Sequence, residues 1–201
     1  AFVNHNACIF KIKMSKCKLN LIAAASKNRG IGINGDLPWR LKKEMAYFTT
    51  MTKKVKNESK VNAVIMGRRS WDCIPLKFRP FANRVNIVIT RHVEKLKSEV
   101  PDGVVVVGGL DEAIQYIENR GDFENTWVIG GSAIYKLAME HPNCDKIYLT
   151  EIQKEFVCDT FFPEINKEKF KLVVEEGIPT ELQTEGDISY YFRIYKKINC
   201  L

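Results

Sequence analysis

The apolar positions of the chain fall into short blocks separated by helical stretches and turns. Leu19 to Ala25, Val61 to Met66, Arg84 to Ile89, Val104 to Val107, Thr126 to Ile129 and Asp145 to Thr150 are short apolar runs that predict buried strands, although the alanines of the first make it a weak β signal. Between them, Leu37 to Phe48 places Leu41, Glu44, Met45 and Phe48 at i, i+3, i+4 and i+7, one stripe of a helix. Leu110 to Ile117 has helical spacing with Asp111 and Glu112 in its first turn, as the helix dipole prefers, and Gly130-Gly131 leads into a helix that runs to about Met139. Lys53 to Lys60 reads as a polar connection, and Ile74-Pro75 and Arg79-Pro80 punctuate a loop. Phe170 to Glu175 and Ser189 to Lys197 are late strands, with turn-prone Glu185-Gly186-Asp187 before the last. The pattern predicts an α/β single domain: a mostly parallel central sheet of about eight strands, an antiparallel C-terminal edge strand, and helices on both faces.

Glu44 breaks the pattern, because a carboxylate on a core-facing stripe needs a partner or a proton. A structural pair with a buried arginine would explain it, and so would a reactive centre. The preceding run, Gly30-Ile31-Gly32-Ile33-Asn34-Gly35-Asp36, favours the second, as a mobile lid beside a site. Gly30-x-Gly32-x-x-Gly35 matches the letter of the dinucleotide fingerprint but fails its context. The glycines start well past the strand, Pro38 follows them, and Met51 to Lys56 offers only Thr and Lys where an acid is required about 20 residues on. Two other strand ends suit anions: Gly67-Arg68-Arg69-Ser70, which is no Walker A loop, and Gly130-Gly131-Ser132, where backbone amides could cradle a pyrophosphate.

Composition narrows the class. With 201 residues, 45% hydrophobic and 27% charged, the chain suits one globular domain, and no apolar run is long enough for a membrane span. Residues 1–13 lack the form of a signal peptide, Met14 reads as a natural start, and 1–13 are expected to be a disordered extension or an expression remnant before a domain at 14–201. Six scattered cysteines without a CxxC pair, and three histidines without ligand spacing, argue for reduced thiols in a cytoplasmic protein and against a metal. The net charge of +7, concentrated between Lys11 and Lys60, suits small polyanionic ligands; no motif supports a nucleic-acid surface.

From Leu19 to Lys197 the chain resembles dihydrofolate reductase of the monofunctional, animal-like kind. The resemblance is carried by Gly30-Ile31-Gly32, Asn34-Gly35-Asp36-Leu37-Pro38-Trp39, Val64-Ile65-Met66-Gly67-Arg68-Arg69-Ser70-Trp71, Ile129-Gly130-Gly131-Ser132 with Tyr135, and Asp159-Thr160-Phe161-Phe162-Pro163, in family order and spacing. It implies NADPH-dependent reduction of 7,8-dihydrofolate to tetrahydrofolate by a monomer that supports one-carbon metabolism and binds antifolates, with no membrane, metal or obligate nucleic-acid partner. Glu44 would orient the pterin and assist protonation of N5 by water; Thr150 would hydrogen-bond this acid, Trp39 would hold a water, and Leu37 would belong to the catalytic loop. Ile22, Ala23, Met45, Phe48, Ile129 and Tyr135 would line the pterin and nicotinamide pocket. Ile74, Pro75, Phe78 and Phe81 would meet the aminobenzoyl group, with Ser70 also on the substrate side. Arg84 would pair with the glutamate α-carboxylate. Gly67, Arg68, Arg69 and Ser70 with Gly130, Gly131, Ser132, Ala133 and Ile134 would hold the cofactor phosphates. Arg69, Thr90 and Arg91 would bind the 2′-phosphate; Gly108 would lie near the adenine, and Ala24, Ile31, Gly35, Asp36, Leu37, Ile89 and Gly109 would complete the cofactor set. The family also implies cis peptides at Gly130-Gly131 and Arg79-Pro80.

Four departures bear on affinity rather than reaction: Met45 where vertebrate members usually carry Phe, a Trp39-Arg40-Leu41 join one residue shorter, Gly108 for a longer polar residue, and Phe78 at the pocket rim. A riboflavin-pathway reductase of the same fold is the near rival, but it has no folate glutamate to bind Arg84. A basic nucleic-acid-binding module is the distant rival, and it leaves Glu44 unexplained.

Overall fold

The computed structural model describes residues 17–198. The expectations for residues 1–13 and for a start at Met14 lie outside that span, as do Cys8 and Cys200. The predicted strands form as β1 (Leu19–Ala25), β3 (Val61–Gly67), β4 (Arg84–Ile89), β5 (Val105–Val107), β6 (Phe123–Val128), β7 (Cys144–Ile152), β9 (Phe170–Val173) and β11 (Ile188–Lys197). Three short strands were not foreseen: β2 (Gly30–Gly32), β8 (Thr160–Phe161) and β10 (Gln183–Glu185). The main sheet runs β10-β11-β7-β1-β6-β3-β4-β5. Neighbours from β7 to β5 are parallel, and β11 is antiparallel to β7. The antiparallel C-terminal strand thus lies at the expected end of the sheet, with β9 and β10 both paired along its outer side.

Period-2 alternation divides the core. Leu19, Leu21, Ala23, Ala63, Ile65, Ile87, Val128, Ile147 and Leu149 face α4 (Leu110–Arg120) and α5 (Ser132–Glu140). Ile22, Val64, Met66, Val88, Trp127 and Tyr148 face the other way, toward α1 (Lys42–Lys53), α2 (Arg68–Cys73) and α3 (Val93–Lys97). The helices after β1 and β3 therefore cover one face, and the helix after β6, which lies between those strands, covers the other. Such a reversal opens a crevice at the carboxyl ends of the strands.

The stretch 37–48 differs from its prediction. Leu41 is extended (φ −118°, ψ 102°), the helix begins at Lys42, and it continues to Lys53. Pro38 biases the residue before it away from helix, and nothing on the 37–41 side offers a cap. The glycine run also differs from a free lid. Gly30 and Gly32 pair with Phe161 and Thr160, the Asp159 amide donates to the Gly32 carbonyl at 3.0 Å, and the Asn34 amide donates to Asp159 Oδ2 at 2.8 Å.

Candidate active site

One face of α1 carries the central feature. Glu44 is buried (6% exposed) and accepts a hydrogen bond from Thr150 Oγ1 on β7 at 3.1 Å. Burial pushes its carboxyl up to about 7; the Thr150 hydroxyl opposes the rise, and the charge of Glu185 adds to it. Ile22 and Ala23 lie midway along β1, just before Ala24, which pairs with Thr150, and Tyr135 donates to the Ile22 carbonyl at 2.7 Å, tying α5 to β1.

Along α1 from Glu44 come Phe48 and then Thr52. Phe48 lies against Phe81 with ring centroids 5.9 Å apart, and Thr52 is fully buried. Arg84 Nη1 donates to Thr52 Oγ1 at 2.8 Å, and its guanidinium stacks over Phe81 at 4.7 Å. Burial lowers the proton affinity of Arg84, and no carboxylate among the described residues pairs with it. Thr52 lies eight residues beyond Glu44 on α1, a rise of about 12 Å, so the acid and the residue that holds the cation are two helical turns apart. Met45, on the stripe predicted to face the core, is 48% exposed instead. Ile74 is half-buried against the α1 face of the core, whereas Pro75 and Phe78 are exposed around a 3-10 turn at 76–78.

The second half of the site is backbone. The Gly67 amide donates to the Gly130 carbonyl at 2.8 Å, which draws the ends of β3 and β6 together, and Gly130-Gly131 and Arg79-Pro80 are both cis. A Cβ on Gly67 would sit 3.1 Å from Ile134, one on Gly131 would sit 3.1 Å from Ser70 Oγ, and Gly130 has φ +121° against the Tyr135 ring. The turn therefore presents bare amides at the start of α5. Ser132 Oγ donates to the Phe161 carbonyl at 2.6 Å, joining this turn to β8; Ile129 is half-buried just before it and Ala133 is exposed just after. Arg69 and Arg91 are exposed, with no ion pair among the described residues. Arg68 differs: it pairs with Asp72 at 2.7 Å and Glu99 at 2.9 Å. Thr90 is buried, and its hydroxyl accepts from the His92 amide. Ile89 ends β4, and Gly108-Gly109 follow β5, where the Gly108 amide donates to Glu112 at 2.8 Å. Such a row of glycine backbone, exposed guanidinium groups and a helix start fits a phosphorylated dinucleotide.

Between the halves lie the loop residues. Asp36 holds Arg40 and the Leu37 amide, Leu37 and Ala24 pack on the same small cluster as Trp39, and Ile31 packs on the α5 side of the core. Gly35 has φ +78°, with room for a Cβ only 3.0 Å from Cys73 Sγ. Trp39 is buried and its indole Nε1 has no protein acceptor among the described residues, so a water or ligand must satisfy it. Four residues were not assigned to the site from the sequence: Thr52, Asp159, Tyr190 and Glu185. Thr52 was accessible in principle, two helical turns beyond Glu44 on the same face. The others act on residues more than 100 positions away or across strand pairings, and carry no local signal.

Among the described residues, no group of three His, Cys, Asp or Glu could hold a metal, and no helix is long and apolar enough to cross a membrane. A family model described as dihydrofolate reductase matches residues 18–197. A dihydrofolate reductase from Heliothis virescens is 70% identical over 185 residues, covering 92% of this chain and 100% of that relative. One from Sus scrofa is 44% identical over 187 residues, covering 90% and 98%. Among solved structures, a dihydrofolate reductase from Schistosoma mansoni matches with a TM-score of 0.78 at 37% identity, covering 90% of this chain and 98% of that one.

Proposed function

The chain belongs to the dihydrofolate reductase family and is an oxidoreductase, and from that premise we propose that it reduces 7,8-dihydrofolate to 5,6,7,8-tetrahydrofolate with NADPH as the hydride source. One observation carries the reading: a buried carboxyl bonded to Thr150 and, two helical turns further along α1, a half-buried guanidinium bonded to Thr52 and without a carboxylate partner among the described residues. Dihydrofolate has matching ends, a pterin edge of N–H donors and a glutamate carboxylate.

In this reading Glu44 accepts from the pterin 2-amino group and the adjacent ring nitrogen, held in place by Thr150. Arg84 meets the α-carboxylate, a bidentate task that suits a planar guanidinium. Phe48, Phe81, Ile74 and the exposed Met45 cover the rings between, and Pro75 and Phe78 form the rim. NADPH, when bound, supplies the hydride that reaches C6. Its phosphates would rest on Gly67 to Ser70 and Gly130 to Ile134, chiefly on amides, because the Arg68 side chain is engaged with Asp72 and Glu99. Arg69, Thr90 and Arg91 would select the 2′-phosphate. The N5 proton comes from water admitted near Trp39, and Glu44, titrating near neutrality, favours its delivery without being the direct acid. The chain acts as a monomer, and free thiols at Cys17, Cys73, Cys144 and Cys158 support a reducing, cytoplasmic setting.

The test is NADPH oxidation by purified protein with and without dihydrofolate. The expected result is dihydrofolate-dependent loss of absorbance, blocked by a 2,4-diaminopteridine. NADPH binding without turnover would move the assignment to another substrate of the same cleft.

A further inference from the structure

The helix that carries Glu44 begins without a cap of its own: Leu41 precedes it, and no side chain from residues 37–41 bonds its first amides. The bonds are made from the far end of the chain. Glu185, the last residue of β10, accepts from the Lys43 amide through both oxygens, at 3.0 and 3.1 Å, and from the Glu44 amide at 3.3 Å. Tyr190, wholly buried on β11, donates its hydroxyl to the same carboxylate at 2.7 Å. A carboxylate belongs at a helix N-terminus on dipole grounds. Here it also stands beside the site's own acid. We propose that Glu185 is a positioning residue, which anchors the first turn of α1 so that Glu44 meets Thr150 and which sets a second negative charge against it.

Two effects follow from that placement. An uncapped N-terminus would stabilise an ionised Glu44, since three of the first amides would point their partial positive charge at it. Glu185 cancels this charge by accepting from those amides, so Glu44 keeps its proton to higher pH. Burial works against ionised Glu185, but the Tyr190 hydroxyl and the amides of Lys43, Glu44 and Lys42 outweigh it and hold its carboxyl below the usual range. It is therefore ionised wherever Glu44 titrates. Of the other groups facing Glu44, Tyr47 on α1, Tyr135 on α5 and Tyr190 on β11 are pushed up by burial and stay protonated, and Thr150 is neutral; the Lys42 and Lys43 side chains on its own helix are exposed.

The inference rests on Glu44 being the substrate-orienting acid, but its test need not depend on turnover. The Glu44 carboxyl is titrated by 13C NMR in the ligand-free full chain, its signal identified by its loss in Glu44→Gln. In Glu185→Gln, which keeps an acceptor and removes the charge, the midpoint is expected to fall by about half a pH unit or more. In Tyr190→Phe, which loosens the same contact but leaves the charge, the midpoint is expected to stay. In turnover assays the acidic shift should reappear in the pH profile of kcat, with little change in KM. An unmoved midpoint in Glu185→Gln, or an equal shift in both variants, would reduce Glu185 to a structural cap and overturn the proposal. If wild type titrates as described but does not reduce dihydrofolate, the functional reading fails and the positioning role stands.

Discussion

At the scale of single residues, Glu44 sets function against stability. Its carboxyl ordinarily releases a proton at 4.5 and in the fold at about 7. Between those values the folded protein holds a proton that the unfolded chain has lost, so the contribution of this group falls as pH rises through that window and stays low above it. A shift of this size corresponds to about 3 kcal/mol, which burial of the side chain leaves largely unscreened. Glu44→Gln should therefore lose turnover at pH 7, on the order of 100-fold, and less at acidic pH where the substrate arrives protonated. The same variant, ligand-free, should resist urea better than wild type at pH 8, by about 1–3 kcal/mol, and show no such advantage at pH 4. Wild-type activity at pH 7 would remove Glu44 from the mechanism; equal stability at pH 8 would mean that its burial costs nothing. The acid itself was legible in the sequence as a carboxylate on an apolar stripe. Its partners were not: Thr150 was tied to the acid only through family resemblance, and Glu185 was read only as part of a turn.

At the scale of elements, the strands with continuous apolar runs were legible because both faces of a parallel sheet are buried, and the two long helices after β5 and β6 because their turns begin with glycine or acid. The pairing of the glycine run was not legible for a definite reason. Two glycines around a single isoleucine make a weak strand signal, and β2 forms through pairing with β8 and Asp159 from about 130 residues away. Gly30 shows how close that pairing is. A Cβ there would lie 2.3 Å from Cys158 Sγ, 2.6 Å from Cys158 Cβ and 2.9 Å from Ser26 Oγ. Gly30→Ala should destabilise the protein by about 1–3 kcal/mol and raise hydrogen exchange at Phe161 and Asp159. Adding Cys158→Gly should restore most of both. Exchange that stays at the wild-type level in Gly30→Ala would show that the loop accommodates the methyl group without parting from β8. The helix start was misplaced by five residues for a related reason: the stripe begins at Leu41, but the residue that ends the extended segment is capped from β10.

At the scale of the whole molecule, the sheet order places Gly67, Thr90, Gly108 and Gly130 at or just beyond the carboxyl ends of their strands, with Ile22 to Ala24 and Thr150 in the carboxyl halves of β1 and β7. Strand existence could be read along the chain; their order could not, since apolar runs do not say which neighbours they choose. A cofactor spanning several strand ends ties them together. NADPH at about 100 times its dissociation constant should add about 2.7 kcal/mol, seen as a rise in Tm of roughly 5–10 °C for a chain of this size. No rise would mean that the backbone cradle does not take the dinucleotide. The same order also governs how the protein comes off the ribosome. Among the described residues β1 pairs with β6 and β7, and Glu44 is bonded by Thr150 and Glu185, 106 and 141 residues later. A nascent chain that has emerged as far as Arg120 holds the acid, the glycine run at 30–35 and both edges of β1 open to solvent. It must be kept from aggregating until β10 and β11 arrive, and it becomes an enzyme only once they have been made.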